Sequence, residues 1–239
     1  MKVVIFGASG FVGSYVLRQC IMDGAISSIV VISRRDIEPS YQQNHKVRCV
    51  LHQNFLEYPQ SILETFSDAR ACFWCIGGRH TQTSRWPTYE DYVHDSVELP
   101  LAAARVFATS VAPSLAQKPF RFIFCSGDST ELDPSKSLWI MGTTRKVKGK
   151  AEKGLYELAD QCPTEFEAYS ARPCGIYSPN PNIKERLLTT FVLPSLRVEA
   201  LAATMVYLAK EGYDQRIVDH KTAKELGERL LEKEKEGNI

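Results

Sequence analysis

The sequence predicts an α/β fold in which a doubly wound parallel sheet is flanked by helices on both faces. Short apolar runs alternate with longer stretches of helical period, a pattern typical of β-α-β units. The short runs are rich in β-branched residues and lack polar alternation, as expected of strands covered on both faces. A chain of 239 residues can bury such a core without disulfides. We expect a single domain over residues 1–239, with small substrate-binding excursions in its C-terminal part.

The individual elements follow from the same two periodicities. Strands are predicted at 2–6, 28–33, 46–51, 71–76, 120–125, 165–171 and 216–219. Helices are predicted at 11–23, 59–67, 88–110, 143–161, 197–211 and 221–235. Pro100 lies inside the helix at 88–110 and should kink it. The last helix is dense in alternating charge, which is typical of a solvated surface helix with a frayed end.

Three long loops follow predicted strands directly, at 77–88, 126–143 and 173–195. The carboxyl ends of parallel strands meet at one edge of the sheet, where ligands bind in open α/β folds. These loops are therefore expected to shape a substrate pocket.

The charge balance excludes two classes of partner. The chain has 29 basic and 28 acidic residues, a net charge of +1, whereas a nucleic-acid or membrane-surface binder would show a basic excess. No apolar run approaches the ~20 residues that span a bilayer. Val3 to Gly7 reads as a first strand rather than a secretory signal. We expect a cytoplasmic protein that acts on a small molecule, with no nucleic-acid or membrane partner.

The seven cysteines predict neither a disulfide framework nor a metal site. Cys72 and Cys75 form a C-x-x-C, but they lie in a predicted strand, where side chains three apart point to opposite faces. They are interpreted as buried thiols in a reducing compartment, and no bound metal is expected.

A glycine-rich turn follows the first predicted strand and opens an amphipathic helix. Its spacing, G-x-x-G-x-x-G over Gly7, Gly10 and Gly13, is typical of Rossmann-like dinucleotide-binding folds. Gly7 permits the tight turn, Gly10 lets the backbone approach a pyrophosphate, and Gly13 lets the helix pack closely on the sheet. The free N–H groups at the helix start should face the phosphates. The intervening residues expected to line the cofactor are Ser9, Phe11 and Val12.

The end of the second strand indicates which dinucleotide binds. NAD-preferring sites usually place a carboxylate there to bind the ribose 2′-hydroxyl. Here Arg34 and Arg35 follow the strand, and guanidinium groups suit a 2′-phosphate. We therefore predict NADP(H) as the cofactor, with Arg34 as the 2′-phosphate ligand.

At these residues the chain resembles the short-chain dehydrogenase/reductase superfamily, in its atypical and extended branches. It is similar to the Tat-interacting-protein-like reductases and to fungal epimerase-like proteins. The turn at 7–13 resembles the cofactor loop of the family, and 75–78 matches the segment that lines the adenosine. Residues 172–177 resemble the segment beside the nicotinamide, and 148–152 the stretch that follows the catalytic lysine. The resemblance implies that Ile76, Gly77, Lys148 and Pro173 also contact the cofactor.

The chain departs from the catalytic pattern of that family. Active members use Tyr-x-x-x-Lys, but with Lys148 as the lysine the tyrosine position holds Thr144, a far weaker acid. The catalytic serine position falls on Ser126 or on Gly127, and Gly127 is the preferred alignment. The candidate catalytic residues are Lys148, Ser126, Asp128 and Thr144.

Other side chains near the predicted cleft edge could replace the missing acid. They are Asp128, Asp95, His80, His94, Tyr92 and Tyr177. His94 lies in an apolar helical stretch, where a structural role is the more common one. Tyr177 could equally pack against the cofactor.

The predicted helix at 143–161 carries basic residues around Lys148. Helical spacing places Thr144 and Lys148 on one face and directs Arg145 and Lys153 elsewhere. This pattern favours a solvated helix with one inward lysine over a nucleic-acid patch.

Three functions stay open on the sequence. The first is an NADP(H)-dependent oxidoreductase acting on a small, rather apolar metabolite, in line with secondary metabolism. The second is an isomerase, lyase or cyclase that uses the same pocket without redox chemistry. The third is an NADP(H)-sensing regulatory protein. Trp139 and Met141 would form an apolar substrate wall in the first case, or pack as core or lid; the chain is expected to be a monomer or homodimer.

Overall fold

A computed structural model, which describes residues 1–115, 118–180 and 194–237, confirms the predicted fold class. The described residues form nine strands: β1 (Lys2–Phe6), β2 (Ser28–Ser33), β3 (Val47–Leu51), β4 (Ala69–Trp74), β5 (Phe120–Cys125), β6 (Phe166–Ala171), β7 (Gly175–Tyr177), β8 (Ser195–Arg197) and β9 (Ile217–Val218). Seven of them build one parallel sheet in the order β3-β2-β1-β4-β5-β6-β9. The order reverses beside β1, and at such a switch point ligands bind.

The same ranges contain eight α-helices, which cover both faces of the sheet. They are α1 (Phe11–Met22), α2 (Pro39–Gln42), α3 (Gln60–Leu63), α4 (Tyr89–Val93), α5 (Leu99–Val106), α6 (Gly142–Gln161), α7 (Val198–Glu211) and α8 (His220–Lys235). Two π-helical turns, His94–Glu98 and Phe107–Val111, follow α4 and α5.

Each face of the sheet carries its own apolar core because side chains alternate along the strands. On β4, Cys72 and Trp74 pack into the core beneath α5 and α6, while Phe73 packs into the core beneath α1 and α7. Cys75, just past the strand, contacts the second core, so the two cysteines of the C-x-x-C lie on opposite faces. Burial raises the pKa of both thiols well above its usual range.

Several element boundaries differ from the prediction. β4 begins and ends two residues earlier than the expected 71–76, because Ala69 pairs with Lys2 at a register shift in β1. The helix predicted at 59–67 is only α3 and a 3₁₀ turn at Glu64–Phe66, since Asp68 takes a left-handed φ of +60° and turns the chain into β4. The short helix α2 was not predicted.

The helix predicted at 88–110 is present, but a wide turn precedes Pro100. The Leu99 N–H donates to the His94 carbonyl across a π-helical turn, and Pro100 then lies in the first turn of α5. A proline fits there because the π-helical turn already interrupts the regular i to i−4 hydrogen bonding in which a proline cannot take part.

The structure refines two predictions for the C-terminal part. The range 173–195 contains β7 and, at its end, the start of β8, which pair in parallel as a separate small sheet; residues 181–193 of this predicted loop lie outside the described residues. The helix α8 is not simply solvated, because Ala223, Leu226 and Gly227 are buried. A side chain at Gly227 would meet the Ala200 carbonyl oxygen of α7 at 2.1 Å, so the two helices are in close backbone contact.

None of the helices in the described part of the chain has the length and apolar character of a membrane span.

Candidate active-site cleft

One cleft of about 1230 Å³ runs along the carboxyl ends of β1, β2, β4, β5 and β6. It exceeds the roughly 300–1,000 Å³ of an ordinary small-molecule pocket, so it has room for a dinucleotide and a second molecule. All but one of the predicted site residues line it: Gly7, Ser9, Gly10, Phe11, Val12, Arg34, Ile76, Gly77, Ser126, Asp128, Thr144, Lys148 and Pro173. The exception is Gly13, which lies beneath the glycine-rich turn.

The glycine-rich turn depends on two close backbone contacts. Gly7 has a φ of +83°, and a Cβ there would lie 2.8 Å from the carbonyl carbon of Cys75. A Cβ on Gly13 would lie 2.1 Å from the Gly7 carbonyl oxygen. Gly10 directly precedes α1 as its N-cap residue and provides no side-chain cap. The N–H groups of the first turn of α1 are therefore free to bind an anion in the cleft.

The end of β2 presents a cationic surface. Arg34 and Arg35 both line the cleft, and the Arg34 Nη2 lies 3.9 Å from the Asp95 Oδ2. The Arg34 guanidinium lies 5.6 Å from the centre of the Phe55 ring. Asp95 also accepts a hydrogen bond from the Trp86 indole at 3.0 Å, so it orients this region rather than lining the cleft.

Arg85 joins this surface from the loop after β4, and no motif in the sequence marked it. Its Nη1 donates to the Gly77 carbonyl at 3.1 Å, and its guanidinium lies 4.4 Å from the Trp86 ring centre. Burial lowers the pKa of Arg85; Asp95 opposes that shift, and repulsion from Arg34 adds to it. Three arginines thus share one end of the cleft.

Lys148 lies at the opposite end, on α6. Its ammonium Nζ donates to the Ser126 carbonyl at 2.8 Å, which holds it at the end of β5. Burial lowers the pKa of Lys148; Cys125 and Glu152 oppose that shift, and repulsion from Arg79 adds a smaller contribution to it. A lowered pKa makes this ammonium a stronger acid than that of a free lysine.

Thr144, one helical turn before Lys148, contacts two neighbouring groups through its hydroxyl. Its hydroxyl accepts the His80 backbone N–H at 3.1 Å, and it also contacts the Tyr92 phenol. The Tyr92 hydroxyl donates to the Gly78 carbonyl at 3.2 Å, and burial raises the pKa of Tyr92, an effect that the nearby Thr144 and Ser96 partly oppose. A phenol therefore lies directly behind the threonine, although it does not line the cleft itself.

The geometry distinguishes the two alignments of the serine position. The Ser126 side chain is buried and its hydroxyl lies 3.2 Å from the Thr130 hydroxyl. A Cβ on Gly127 would lie 3.5 Å from the Lys148 Nζ. The side-chain position that faces the lysine is therefore the glycine, which supports the preferred alignment.

Of the six side chains considered as substitute acids, only Asp128 lines the cleft. Its carboxylate accepts the Ser129 hydroxyl at 2.8 Å. His94 is instead exposed and bonded to Glu98 at 2.9 Å. Behind Asp128, the Nδ1 of His220 accepts the Cys174 backbone N–H at 3.1 Å, a neighbour that sequence spacing could not reveal.

Arg145 does not point away from the cleft, as helical spacing predicted, but lines it. Its Nε donates to the Ser129 carbonyl at 2.5 Å and its Nη1 to the Ile140 carbonyl at 3.5 Å. Met141, at a left-handed φ of +52°, begins α6 and lines the cleft with Ile140, whereas Trp139 is fully exposed. The loop bends back over the first turn of α6 and draws Arg145 with it.

A buried ion pair fixes α6 against the end of β6. Glu152 is fully buried, and its two carboxylate oxygens lie 3.0 and 3.1 Å from the Arg172 Nε. A third contact joins the Arg172 Nη2 to the same carboxylate. Lys148 lies one helical turn before Glu152, and Pro173 directly follows Arg172. The ion pair therefore sets the position of Lys148 relative to Pro173.

No group of three or more His, Cys, Asp and Glu side chains within residues 1–115, 118–180 and 194–237 is placed to hold a metal ion.

A comparison of the chain with known protein families gives a match. The model of the NAD-dependent epimerase/dehydratase family matches residues 3–141, more than half of the chain. The chain belongs to this family. The resemblance to extended short-chain dehydrogenases/reductases is thereby confirmed, and the matched range contains the glycine-rich turn and both Arg34 and Asp128.

Among curated proteins, the chain is similar to leucinostatins biosynthesis cluster protein T of Purpureocillium lilacinum. The two are 26% identical over 158 residues, which is 66% of this chain and 52% of that protein. The chain thus spans about half the length of this relative.

Solved structures of other epimerase/dehydratase enzymes share the fold. The dTDP-glucose 4,6-dehydratase of Streptomyces venezuelae, solved with NAD, has a TM-score of 0.68 and 13% identity, and the match covers 98% of this chain and 81% of that one. The UDP-glucose 4-epimerase of Thermotoga maritima, solved with UDP-glucose, has a TM-score of 0.66 and 14% identity, over 100% and 83% of the chains.

Proposed function

We propose that this epimerase/dehydratase family member binds NADP(H) in the cleft and transfers hydride to or from a small, largely apolar metabolite. The observation that carries the proposal is the group of three arginines at the end of β2, Arg34, Arg35 and Arg85, all of which line the cleft. An NAD site would favour a carboxylate there, and guanidinium groups suit the extra phosphate of NADP(H).

The rest of the cleft fits a dinucleotide. The uncapped start of α1 suits the pyrophosphate, and the glycines at 7 and 13 leave the space that the close approach requires. Lys148 would hold the nicotinamide ribose, and Pro173 would border the nicotinamide ring. The bound cofactor supplies the hydride donor or acceptor. A related dehydratase structure holds NAD, which supports a nicotinamide dinucleotide here.

The proton that accompanies the hydride needs a source other than the usual tyrosine. We assign its path to the Thr144 hydroxyl, which lines the cleft with the Tyr92 phenol behind it and would pass a proton on rather than supply one, because threonine is a weak acid. Because Lys148 lies one helical turn further on, its positive charge would favour proton movement along these hydroxyls. Asp128, across the cleft, is the alternative acid or base.

The likeness to a fungal biosynthesis-cluster protein supports a role in secondary metabolism. The apolar side chains of Ile140 and Met141 on the cleft wall are consistent with such a substrate.

A non-redox isomerase, lyase or cyclase is the second candidate. It is favoured by one observation: the positions facing Lys148 hold Gly127 and Thr144 in place of the serine and tyrosine of an active reductase. Such a catalyst depends on orientation and a few polarising donors rather than on a strong acid. It would form product with no net change in the oxidation state of added NADPH.

Calorimetric titration with NADPH, NADP⁺ and NADH tests the proposal. We expect NADPH to bind at micromolar concentration, and Arg34→Ala to weaken it by roughly 10-fold to 100-fold, the value of a charged hydrogen bond. NADH affinity should change little in that variant. Arg48→Ala, an exposed arginine of β3 outside the cleft, is the matched control. Equal binding of NADPH and NADH would refute the NADP(H) assignment, and no binding of either would leave the non-redox candidate.

A further inference from the structure

Positive charge is concentrated in the cleft far beyond the balance of the whole chain. The net charge of the protein is only +1. The cleft nevertheless has six permanently or usually cationic residues and one carboxylate, Asp128, among its described lining residues. The six are Arg34, Arg35, Arg79, Arg85, Arg145 and Lys148.

These cations form two groups at opposite ends. Arg85 is close enough to Arg34 and Arg35 for their repulsion to lower its pKa, after the larger effect of burial. That first group is assigned to the 2′-phosphate of the cofactor under the proposed function.

The second group surrounds the reactive end of the cleft. Arg79 lines the cleft next to His80, whose backbone N–H donates to the Thr144 hydroxyl at 3.1 Å and so joins this loop to α6. Its charge also lowers the pKa of Lys148 and of Cys174, although burial raises the pKa of the thiol. Arg145 reaches the same end from α6, where the carbonyl groups of Ser129 and Ile140 hold its Nε and Nη1.

The second group, Arg79, Arg145 and Lys148, faces a single carboxylate, Asp128, among the described lining residues of the cleft. Among residues 1–115, 118–180 and 194–237, neither Arg79 nor Arg145 has an ion-pair partner. The two carbonyl contacts fix the direction of the Arg145 guanidinium but leave its Nη2 without a hydrogen bond in those ranges. Guanidinium groups held near an ammonium repel each other, and an anion bound between them would relieve that repulsion.

We propose that Arg79 and Arg145 bind an anionic group of the substrate, a carboxylate or a phosphate. This inference rests on the proposed function, because the first cationic group and the α1 N-terminus are then occupied by the cofactor. The apolar remainder of the substrate would lie against Ile140 and Met141, which line the same end. The substrate is thus an amphiphilic acid rather than a neutral apolar molecule.

Binding of model anions to the NADP⁺-saturated protein tests the inference. Calorimetry would compare 4-phenylbutyrate, phenyl phosphate and the neutral 4-phenylbutyramide. We expect at least one anion to bind at least 10-fold more tightly than the amide, and the tighter of the two anions identifies the group. Arg79→Gln and Arg145→Gln should each weaken the binding of that anion by roughly 10-fold to 100-fold. Lys150→Gln, which removes an exposed charge of α6 outside the cleft, should have no effect.

NADPH affinity of the same variants separates this inference from the proposed function and shows that the variants are folded. It should change less than two-fold in Arg79→Gln and Arg145→Gln. If Arg79→Gln instead weakens NADPH binding, Arg79 is a cofactor ligand and the inference is wrong. Equal binding of amide and anions, or binding of none of them, also overturns it. If the protein binds no dinucleotide, the proposed function fails; anion binding that still depends on both arginines would then support the inference alone.

Discussion

Replacing Glu152 by leucine should destabilise the protein by about 3–5 kcal/mol, because the Arg172 guanidinium would lose the buried carboxylate that it is hydrogen-bonded to. The geometry sets this magnitude. The Glu152 side chain has no exposed area, that of Arg172 is 13% exposed, and the carboxylate oxygens lie 3.0 and 3.1 Å from the Arg172 Nε. Two unit charges at such a distance interact with about 5 kcal/mol at the effective dielectric constant of ~20 that suits protein sites.

A double-mutant cycle measures this coupling. The variants are Glu152→Leu, Arg172→Met and their combination, each measured by urea unfolding and by a thermal melt. Either single change should lower the melting temperature by roughly 6–20 °C, at about 2–4 °C per kcal/mol for a protein of this size. The combined variant should lose less than the sum of the singles, because it buries no unpaired charge.

Lys153→Gln provides the matched control. It breaks an exposed ion pair with Glu157 on the same helix, 4.0 Å apart, and should cost less than about 0.5 kcal/mol. The reasoning is refuted if each single variant at Glu152 and Arg172 costs under 1 kcal/mol, or if the two effects simply add.

Three further results are expected. Gly13→Ala should abolish NADPH binding and lower stability, because the added Cβ would lie 2.1 Å from the Gly7 carbonyl oxygen. Gly24→Ala, whose Cβ would have no atom within 4 Å, should change neither NADPH binding in calorimetry nor the melting temperature. Asp219→Ala should cost about 1 kcal/mol, since Asp219 caps the N-terminus of α8. The carboxylate of Asp219 accepts the Thr222 backbone N–H, and this hydrogen bond lowers the pKa of Asp219. Its contribution to stability is therefore present above pH ~3.9 and is lost as the pH falls through the folded-state pKa. Urea unfolding between pH 2 and 6 should show that the difference in stability between the wild type and Asp219→Ala disappears at the acid end. Lys148→Met should weaken NADPH binding at least 10-fold. It should not destabilise the cofactor-free protein, because burial disfavours the ammonium that the substitution removes. A large drop in melting temperature would contradict this expectation.

Local patterns made much of the fold predictable. The strands β1, β2 and β5 match their predicted ranges, since each is a run of apolar residues bounded by turn-forming ones. The glycine spacing at 7–13 predicted the turn and the start of α1 because three or four residues decide that geometry. The distance of one helical turn between Thr144 and Lys148 was likewise readable from the sequence.

Predictions failed where a neighbour distant in sequence decides the outcome. The start of β4 is set by pairing with Lys2, and the burial of one face of α8 by contact with Ala200 of α7. Arg145 turns into the cleft because carbonyl groups of the preceding loop hold it, although helical spacing alone directs it elsewhere.

The sequence by itself therefore determined the α/β fold class, the glycine-rich turn and the loss of the tyrosine at position 144, because each depends on residues close together in the chain. Only the tertiary structure decided which charges meet. Arg34 approaches Asp95 and Glu152 pairs with Arg172 across long stretches of chain. Such contacts form only when strands distant in sequence become neighbours in the sheet and bring their loops to one edge. The division of the cleft into two cationic ends is a consequence of that assembly.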